Sequence, residues 1–228
     1  MSSMQRKIEI TEDGSHTFFI PELNEHYHST HGAIQESTHV FIDAGLRACE
    51  KDEVSVLEIG FGTGLNAFLT MLEAEKTRRK ITYTSLELYP LSETEAKMLN
   101  YPALIDASKK EDFLRLHRAP WEHREQVSPC FSLLKLQTDF SKPADVQCGN
   151  KFNVIYFDAF APEKQPDMWT QEIFDTLLHL SAPNAILTTY CAKGAVRRRL
   201  QTAGFTVERL PGPPGKREML RGRVVNRY

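Results

Sequence analysis

Apolar residues occur in this chain in two patterns that alternate along its length. Short continuous apolar runs, typical of strands buried in a parallel sheet, occupy residues 54–59, 81–88, 131–136, 152–157 and 185–190. Segments with apolar residues at helical spacing occupy residues 65–75, 91–99, 170–180 and 194–202. This alternation of strands and helices predicts an α/β fold with a doubly wound, mostly parallel sheet.

The two ends of the chain depart from this alternation. Residues 205–210 and 219–225 are apolar segments on either side of a Pro-Gly-Pro-Pro-Gly turn, which predicts an antiparallel hairpin at the sheet edge. Short strands at 8–10 and 18–20, followed by a polar loop at 26–37, predict a small N-terminal cap. We therefore expect a cap over residues 1–45 and one Rossmann-like domain over residues 46–228. Residues 101–128 are less regular and are interpreted as an insertion over one face.

Composition narrows the class of protein. A chain of 228 residues fits one α/β domain. No run approaches the ~20 apolar residues of a membrane span, and the polar start lacks a signal-peptide core. The neighbouring His26, His28 and His31 lack a partner at metal-ligand spacing, so no metal is expected. The cysteines are far apart and form no CxxC pair, which indicates a reducing cytoplasm. They are Cys49, Cys130, Cys148 and Cys191.

Charge is distributed unevenly. From Lys193 to the end the chain carries a net charge of +8, which leaves −10 for the rest. A basic end on an acidic body can guide a polyanion to one face of a protein. Composition alone equally permits a solvated helix face followed by a cationic tail.

A glycine turn follows the first apolar strand, in the sequence Glu58-Ile-Gly-Phe-Gly-Thr-Gly64. Alternating glycines at Gly60, Gly62 and Gly64 let a backbone turn sharply and approach a ligand closely. A helix that starts directly after them points its amide dipoles at the same space. A dinucleotide-binding turn places glycine or alanine at position 65, where this chain has Leu65, so an NAD site is disfavoured.

Carboxylates stand at the ends of the next strands. Glu87 ends the second strand, where a carboxylate can accept both hydroxyls of a ribose. Asp139 follows the third strand and is placed to reach an adenine amine. Each alone would more often be a solvated loop residue. Together, beside a glycine turn, they predict a site for a nucleoside-containing cofactor.

The fourth strand leads into Asp158-Ala-Phe-Ala-Pro162 and, shortly afterwards, Pro166-Asp-Met-Trp169. In an open α/β sheet ligands bind outside the carboxyl ends of strands, so Asp158 is expected to face the cofactor crevice. Phe160, Pro162 and Trp169 then form an apolar wall suited to stacking on a planar base. The alternative makes Asp158 a helix cap and the aromatic residues core, but the prolines disfavour an immediate helix.

These motifs resemble the tRNA 5-methylaminomethyl-2-thiouridine methyltransferases, the MnmD type that is equivalent to the N-terminal half of bifunctional MnmC. The resemblance covers nearly the whole chain. Its most specific part is the Asp-x-Phe-Ala-Pro and Pro-Asp-Met-Trp pair, whereas the glycine turn is shared by all class I methyltransferases. The remaining matching segments are Tyr27-His28-Ser29, Gly32 to Glu36, Glu58 to Asn66, and Lys216-Arg-Glu-Met-Leu220. Ala159 departs from the pattern, because relatives often carry glycine there.

The resemblance implies a class I methyltransferase fold with S-adenosylmethionine as cofactor. It implies N-methylation of the 5-aminomethyl group of (2-thio)uridine at the tRNA wobble position. Tyr27 and Glu36 would close over the cofactor, Glu58 would shape the pocket for its methionine part, and Asn66 would belong to the same site. Tyr228 ends the chain too early for the FAD-dependent oxidase half of bifunctional relatives. We therefore expect separate enzymes to install the aminomethyl group.

The resemblance assigns Asp158 a place near the reacting amine. There it would aim the nitrogen lone pair at the methyl group and stabilise the developing positive charge. An unperturbed aspartate, with a pKa of ~3.9, is a poor general base, so we expect orientation rather than full deprotonation. The resemblance also makes basic residues candidates for tRNA phosphate contacts. They are Lys164, Arg197, Arg198, Arg199, Lys216 and Arg217.

Two other functions fit the same fold. An aminopropyltransferase of the spermidine-synthase kind also has an aspartate at the end of the fourth strand. Its amine substrate would prefer several acidic contacts, whereas this loop continues through apolar residues to Lys164. A non-catalytic RNA-binding module is disfavoured by the intact set of carboxylates.

Overall fold

The computed structural model describes residues 5–143 and 151–225. Cys148 and Arg227 lie outside these ranges. A three-stranded antiparallel sheet near the N-terminus contains β1 (Lys7–Ile10), β2 (His16–Ile20) and β3 (Glu25–His26). The helix α1 (Ala33–Ser37) follows and continues into a π-helical segment, Thr38–Leu46. The two short N-terminal strands predicted from the sequence are therefore confirmed.

The expected polar loop at 26–37 ends earlier than predicted, because α1 already begins at Ala33. Gly32 has a φ of 139°, which lets the chain turn sharply just before the helix. The Asp13 carboxylate accepts a hydrogen bond from the Gln35 amide at 3.1 Å. A side chain distant in sequence thus satisfies an N-terminal amide of the helix, a contact that local sequence does not reveal.

The rest of the described chain alternates strands and helices. Its elements are β4 (Glu53–Ile59), α2 (Leu65–Thr77), β5 (Lys80–Glu87), α3 (Glu93–Met98), α4 (Tyr101–Ile105), α5 (Lys110–Arg118), β6 (Glu125–Ser128), β7 (Phe131–Gln137), β8 (Phe152–Phe157), α6 (Gln171–Leu180), β9 (Ser181–Thr189), α7 (Gly194–Ala203), β10 (Thr206–Pro211) and β11 (Glu218–Arg223). Short 3₁₀ turns occupy Ala107–Lys109 and Pro166–Trp169.

Among the described residues, eight strands form the main sheet in the order β10-β11-β9-β8-β4-β5-β7-β6. The five strands from β9 to β7 are parallel, whereas β11 and β6 pair antiparallel with their neighbours. The terminal hairpin forms with Leu210 opposite Met219. The predicted doubly wound sheet with an antiparallel C-terminal edge is confirmed.

Residues 101–128 are more ordered than the sequence suggested. They form α4, α5 and the edge strand β6, so the segment has regular structure that was not expected, while its interpretation as an insertion stays a prediction. In α5, Phe113, Leu114 and Leu116 are buried on one face while charged residues cover the other. Arg115 then fastens the helix to β6 through Glu125 at 2.9 Å and the Val127 carbonyl at 2.9 Å. The dense charges of this segment obscured a short amphipathic helix.

Two hydrophobic clusters cover the main sheet. Alternate residues of a strand point to opposite faces, and accordingly Val56 lies in one cluster and Leu57 in the other. The first cluster packs against α2 and the π-helical segment, and the second packs against α6 and α7. Within residues 5–143 and 151–225, no helix has the length and apolar character needed to cross a bilayer.

Candidate active site

A cavity of about 370 Å³ lies at the carboxyl ends of the central parallel strands. Its size falls within the range of small-molecule sites. Its wall comes from the ends of β4, β5 and β8, the loops after β7 and β9, the N-terminal sheet and the terminal hairpin loop. Nine of the residues singled out from the sequence line it. They are Tyr27, Glu36, Gly60, Gly62, Glu87, Asp139, Asp158, Phe160 and Lys216.

The glycine turn lines the cavity and also packs tightly against neighbouring residues. Gly60 has a φ of 94°, and a Cβ at this position would lie 2.7 Å from the Asp158 carbonyl oxygen. Gly62 has a φ of 49°, and its Cβ would lie 3.0 Å from the Tyr27 ring. Both positions therefore require glycine for conformation and for space. Gly64 caps α2 behind the turn and does not line the cavity.

The carboxylates predicted to bind the nucleoside are held by backbone amides. Glu87 accepts hydrogen bonds from the Gly62 amide at 2.9 Å and from the Tyr89 amide at 2.8 Å. Asp139 accepts from the Ser141 amide at 3.0 Å through one oxygen. Because these bonds limit rotation, both side chains are already oriented at the cavity wall.

Glu58 and Asn66 lie beneath the cavity wall rather than in it. Glu58 is completely buried and accepts a hydrogen bond from the Ser85 hydroxyl at 2.6 Å. Burial raises the pKa of its carboxyl well above the usual range, because the charged form is disfavoured away from water. Asn66 is also buried and donates to Asp158 at 2.8 Å. Both residues thus support the wall from behind instead of presenting a charge to a ligand.

Asp158 faces the cavity at the end of β8. Its amide donates to the Ile59 carbonyl at 3.1 Å, which ties it to the glycine turn. Burial, assisted by the nearby negative charge of Glu36, raises its pKa to about 7. The sequence expectation of an unperturbed carboxylate with little capacity as a base was therefore wrong, because it took no account of burial. At neutral pH this carboxyl both accepts and releases a proton.

Tyr27 and Phe160 meet at one side of the cavity. Their rings contact edge to face with centroids 5.3 Å apart. The Tyr27 hydroxyl accepts a hydrogen bond from Arg6 at 3.0 Å. Burial and the charge of Glu87 raise the pKa of Tyr27 to about 12, so its hydroxyl stays neutral. The N-terminal sheet thus places an aromatic side chain directly against the Asp158 loop.

Trp169 does not form part of the open wall, which corrects the sequence interpretation. It is completely buried and packs edge to face on Phe157 at 4.9 Å. Its indole donates to the Phe160 carbonyl at 2.7 Å. It therefore holds Phe160 in place from behind and has no face free to stack on a base. Pro162 and Lys164 are half-buried and also lie outside the cavity wall.

Sequence reasoning missed several residues of the wall, of which Tyr190 is the most informative. It follows β9, as Asp158 follows β8, so its position at a strand end was the available signal. The Tyr190 hydroxyl donates to the Ala159 carbonyl at 2.8 Å. The Lys216 ammonium lies 4.5 Å from the centre of the Tyr190 ring and pairs with Glu36. Other wall residues to which the sequence analysis gave no role at the site include His28, Gln165 and Met168.

The remaining basic candidates lie outside the cavity. Arg198 and Arg217 are exposed, and Arg197 is half-buried. Among the described residues, no three histidine, cysteine, aspartate or glutamate side chains cluster as metal ligands.

Comparison with known proteins identifies the class of cofactor. The family model described as S-adenosyl-L-methionine-dependent methyltransferase matches residues 134–224. The chain is similar to this family of methyltransferases over those residues. It is 31% identical over 228 residues to the tRNA 5-methylaminomethyl-2-thiouridine biosynthesis bifunctional protein MnmC of Azoarcus sp. (strain BH72). That alignment covers 96% of this chain and 36% of the relative. The resemblance noted from the motifs is confirmed, and the chain spans about a third of the relative's length.

Solved structures show the same fold. MNMC2 from Aquifex aeolicus matches with a TM-score of 0.77 and 24% identity, covering 100% of this chain and 74% of that one. Spermidine synthase from Thermotoga maritima matches with a TM-score of 0.52 and 12% identity, covering 96% and 71%. These likenesses show that the chain has a class I methyltransferase-like fold.

The cavity fits S-adenosylmethionine in its chemistry. A Cβ at Gly60 or Gly62 would clash with neighbouring atoms, so the backbone of the turn itself forms the surface that faces the cofactor. Glu87 offers two oriented carboxylate oxygens, which match a pair of ribose hydroxyls. A buried apolar cluster lies against the same strand ends and includes Ile59, Leu86 and Phe140. These features suit a nucleoside linked to an amino acid.

Proposed function

We propose that this methyltransferase N-methylates the 5-aminomethyl group of (2-thio)uridine at the tRNA wobble position. The product would be 5-methylaminomethyl-2-thiouridine. The observation that carries the proposal is Asp158, a carboxyl that faces the cavity beside the cofactor turn with a pKa of about 7. The identity with MnmC, whose name states that biosynthesis, supports the choice of acceptor.

The cofactor contacts in this proposal follow the order of the strands. The turn at Gly60 and Gly62 holds the cofactor through its backbone, Glu87 binds the ribose, and Asp139 binds the adenine amine. Glu58, Gly64 and Asn66 act indirectly, because they fix the turn and Asp158 from behind. Residues 1–45 act as a cap that closes the site through Tyr27 and Glu36, and residues 46–228 form the catalytic domain.

Asp158 has two tasks in the proposed reaction. S-adenosylmethionine, when bound, supplies an electrophilic methyl group. The acceptor is an alkylammonium at neutral pH and must lose a proton before its nitrogen can attack. A carboxylate with a pKa near 7 can take that proton, hold the amine by a hydrogen bond and direct its lone pair at the methyl carbon. The new N–C bond then forms as the methyl–sulfur bond breaks.

Binding of the tRNA is assigned to the residues around the cavity mouth. Phe160 lies beside the base, Pro162 extends this apolar surface outside the cavity wall, and Trp169 supports Phe160 from behind. Lys164, Arg197, Arg198, Lys216 and Arg217 contact phosphates. With tRNA as its substrate, the protein would act in the cytoplasm, together with separate enzymes that install the aminomethyl group.

One experiment tests the proposal. The protein is incubated with S-adenosylmethionine labelled in its methyl group and with tRNA from cells that lack the final methylation, and the nucleosides are then identified. Label in 5-methylaminomethyl-2-thiouridine is the expected result. Label transferred to another nucleoside, or to no acceptor, would contradict the proposal. Polyamines tested with decarboxylated S-adenosylmethionine would reveal an aminopropyltransferase instead.

A further inference from the structure

Two histidines contact Thr63 of the glycine turn through its hydroxyl and its carbonyl; His28 is buried and His117 is half-buried. Its hydroxyl lies 2.7 Å from Nε2 of His28, which comes from the N-terminal sheet region. Its backbone carbonyl lies 3.1 Å from Nε2 of His117, the penultimate residue of α5. Thr63 itself is 1% exposed and lines the cavity. Two segments outside the parallel sheet therefore meet on one residue of the turn.

Each histidine is itself held in place. The His28 amide donates to the Thr17 hydroxyl at 3.1 Å. The His117 ring packs edge to face against Phe61 of the turn at 5.3 Å, and against Phe113 at 5.0 Å. Neither ring can therefore move away from Thr63 without disturbing its neighbours.

A buried lysine completes the support on the α5 side. Lys135 of β7 is 1% exposed and donates to the His117 carbonyl at 2.7 Å. Its ammonium lies 4.6 Å from the centre of the Trp121 ring and 5.3 Å from that of Phe61. Hydrogen bonds and cation–π contacts thus connect α5, β7 and the turn.

The neutral charge state of the two histidines is consistent with a positioning role. Burial lowers the pKa of His28 to about 4, and burial together with Lys135 lowers that of His117 to about 4. Both rings are therefore neutral at pH 7. A neutral His117 donates its Nε2 proton to the Thr63 carbonyl, which can only accept. A neutral ring also avoids placing a positive charge near a sulfonium cofactor.

The turn needs such support, because Gly60, Gly62 and Gly64 all have positive φ and glycine loses the most backbone freedom on ordering. We infer that His28 and His117 are positioning residues that preorganise the turn for S-adenosylmethionine through Thr63. On this inference the role of residues 101–128 is to supply one half of this support. The inference rests on the proposed use of the cavity for S-adenosylmethionine, and it concerns affinity for the cofactor rather than the methyl-transfer step.

The test compares two substitutions at each histidine. Gln places an amide nitrogen near the position of Nε2, whereas Leu removes the hydrogen bond. Binding of S-adenosylmethionine is measured by titration calorimetry on the wild type and on His28→Gln, His28→Leu, His117→Gln and His117→Leu. We expect each Leu variant to raise Kd at least tenfold and each Gln variant to stay within threefold. KM for the cofactor should follow Kd, while kcat at saturating cofactor stays within threefold of the wild type.

His123→Leu is the matched control, since His123 lies in the same segment but is exposed. It should leave Kd unchanged. If a Leu variant does not fold, Thr63→Val and Thr63→Ser test the His28 contact alone, because valine removes only the hydroxyl and serine keeps it. Valine should weaken binding and serine should restore it.

The outcomes distinguish a failure of the cofactor assignment from a failure of the positioning role. A wild type that does not bind S-adenosylmethionine would overturn the assignment of the cavity. Normal binding by the wild type together with folded Leu variants whose Kd changes less than twofold would overturn the positioning role. A lower melting temperature with unchanged Kd would likewise show that the histidines only stabilise the fold.

Discussion

The cavity has a floor and a rim that differ in how their polar groups are held. The floor contains Glu58, Asn66 and Asp158, which stand on β4, on α2 and at the end of β8 and bond to buried partners. The rim contains Glu36 and Lys216, which pair across the cavity mouth from α1 and the terminal hairpin loop. The floor is fixed by the parallel sheet, whereas the rim depends on contacts between loops.

This difference assigns the reaction chemistry to the floor and the recognition of the substrate to the rim. Leaving a buried polar group without its partner costs about 1–3 kcal/mol. This cost applies to the floor and also to Glu36 of the rim, which is buried, whereas Lys216 is half-buried. Burial also raises the pKa of both floor carboxyls, Glu58 and Asp158. The floor therefore supplies proton chemistry in a fixed geometry. The rim instead joins two segments that are distant in sequence, α1 and the terminal hairpin loop, through one ion pair.

The largest predicted effect comes from the floor. Asp158→Asn keeps an oxygen that accepts from Asn66 but can no longer take a proton, so we expect kcat to fall roughly 10³-fold. Kd for S-adenosylmethionine should change less than threefold. The folded-state pKa of Asp158 is above its unfolded value, so the protein loses stability as pH rises from about 4 to about 7 and does not regain it above that. The variant should therefore melt a few °C higher than the wild type at pH 8.

Steady-state kinetics, cofactor titration and a thermal melt at pH 8 measure these three quantities. Asp167→Asn, at an exposed position of the same loop, serves as the control and should match the wild type. Loss of cofactor binding together with activity would show that Asp158 belongs to the cofactor site instead.

The second prediction concerns pH. Because the ionised form of Asp158 accepts the proton, the single-turnover rate should fall about tenfold per pH unit below its pKa of about 7. The rate is measured from pH 5.5 to 8 with saturating S-adenosylmethionine and tRNA. The residual rate of the Asp158→Asn variant should not show this decrease below pH 7. A midpoint below pH 5 in the wild type would show that burial does not set the pKa of the reacting carboxyl.

The floor was more predictable from the sequence than the rim. Asp158 follows an apolar strand, and strand ends of a parallel sheet meet at one edge, so its place in the cavity follows from pattern alone. Glu36 and Lys216 are 180 residues apart and meet only through the packing of the hairpin loop on α1. Trp169 was misplaced because an aromatic residue beside a helix start can face either way, and only packing on Phe157 decides.

The support around Thr63 was not predictable for a similar reason. His28 and His117 are ordinary polar residues in the sequence, and their burial depends on contacts with the turn. Lys135 lies in an apolar strand, where a buried charge is unexpected, and its acceptor comes from α5. Periodicity locates strands and helices, but these contacts depend on how the elements pack.

The third prediction tests how the rim acts on the floor. The positive charge of Lys216 lowers the pKa of Asp158, so Lys216→Met should shift the midpoint of the pH profile upward. At pH 7 fewer molecules then carry an ionised Asp158, and we expect a three- to tenfold lower rate. Arg209→Met, at an exposed position of the same hairpin, is the control. A profile that does not move would mean that rim and floor are electrostatically independent.

The smallest predicted effect lies outside the cavity, on α7. Arg199 donates to the Trp169 carbonyl at 2.6 Å and so has a structural role, whereas Arg198 is exposed and is the better probe of tRNA contact. If Arg198 binds a phosphate, Arg198→Gln should weaken tRNA binding a few-fold and reduce the slope of log K against log salt by about 1. The measurement is a tRNA binding titration between 50 and about 200 mM salt. Arg78→Gln is the matched control, since Arg78 is exposed after α2, at the end of the sheet away from the cavity. Equal slopes for the two variants would exclude Arg198 from the tRNA interface and restrict recognition to the cavity mouth.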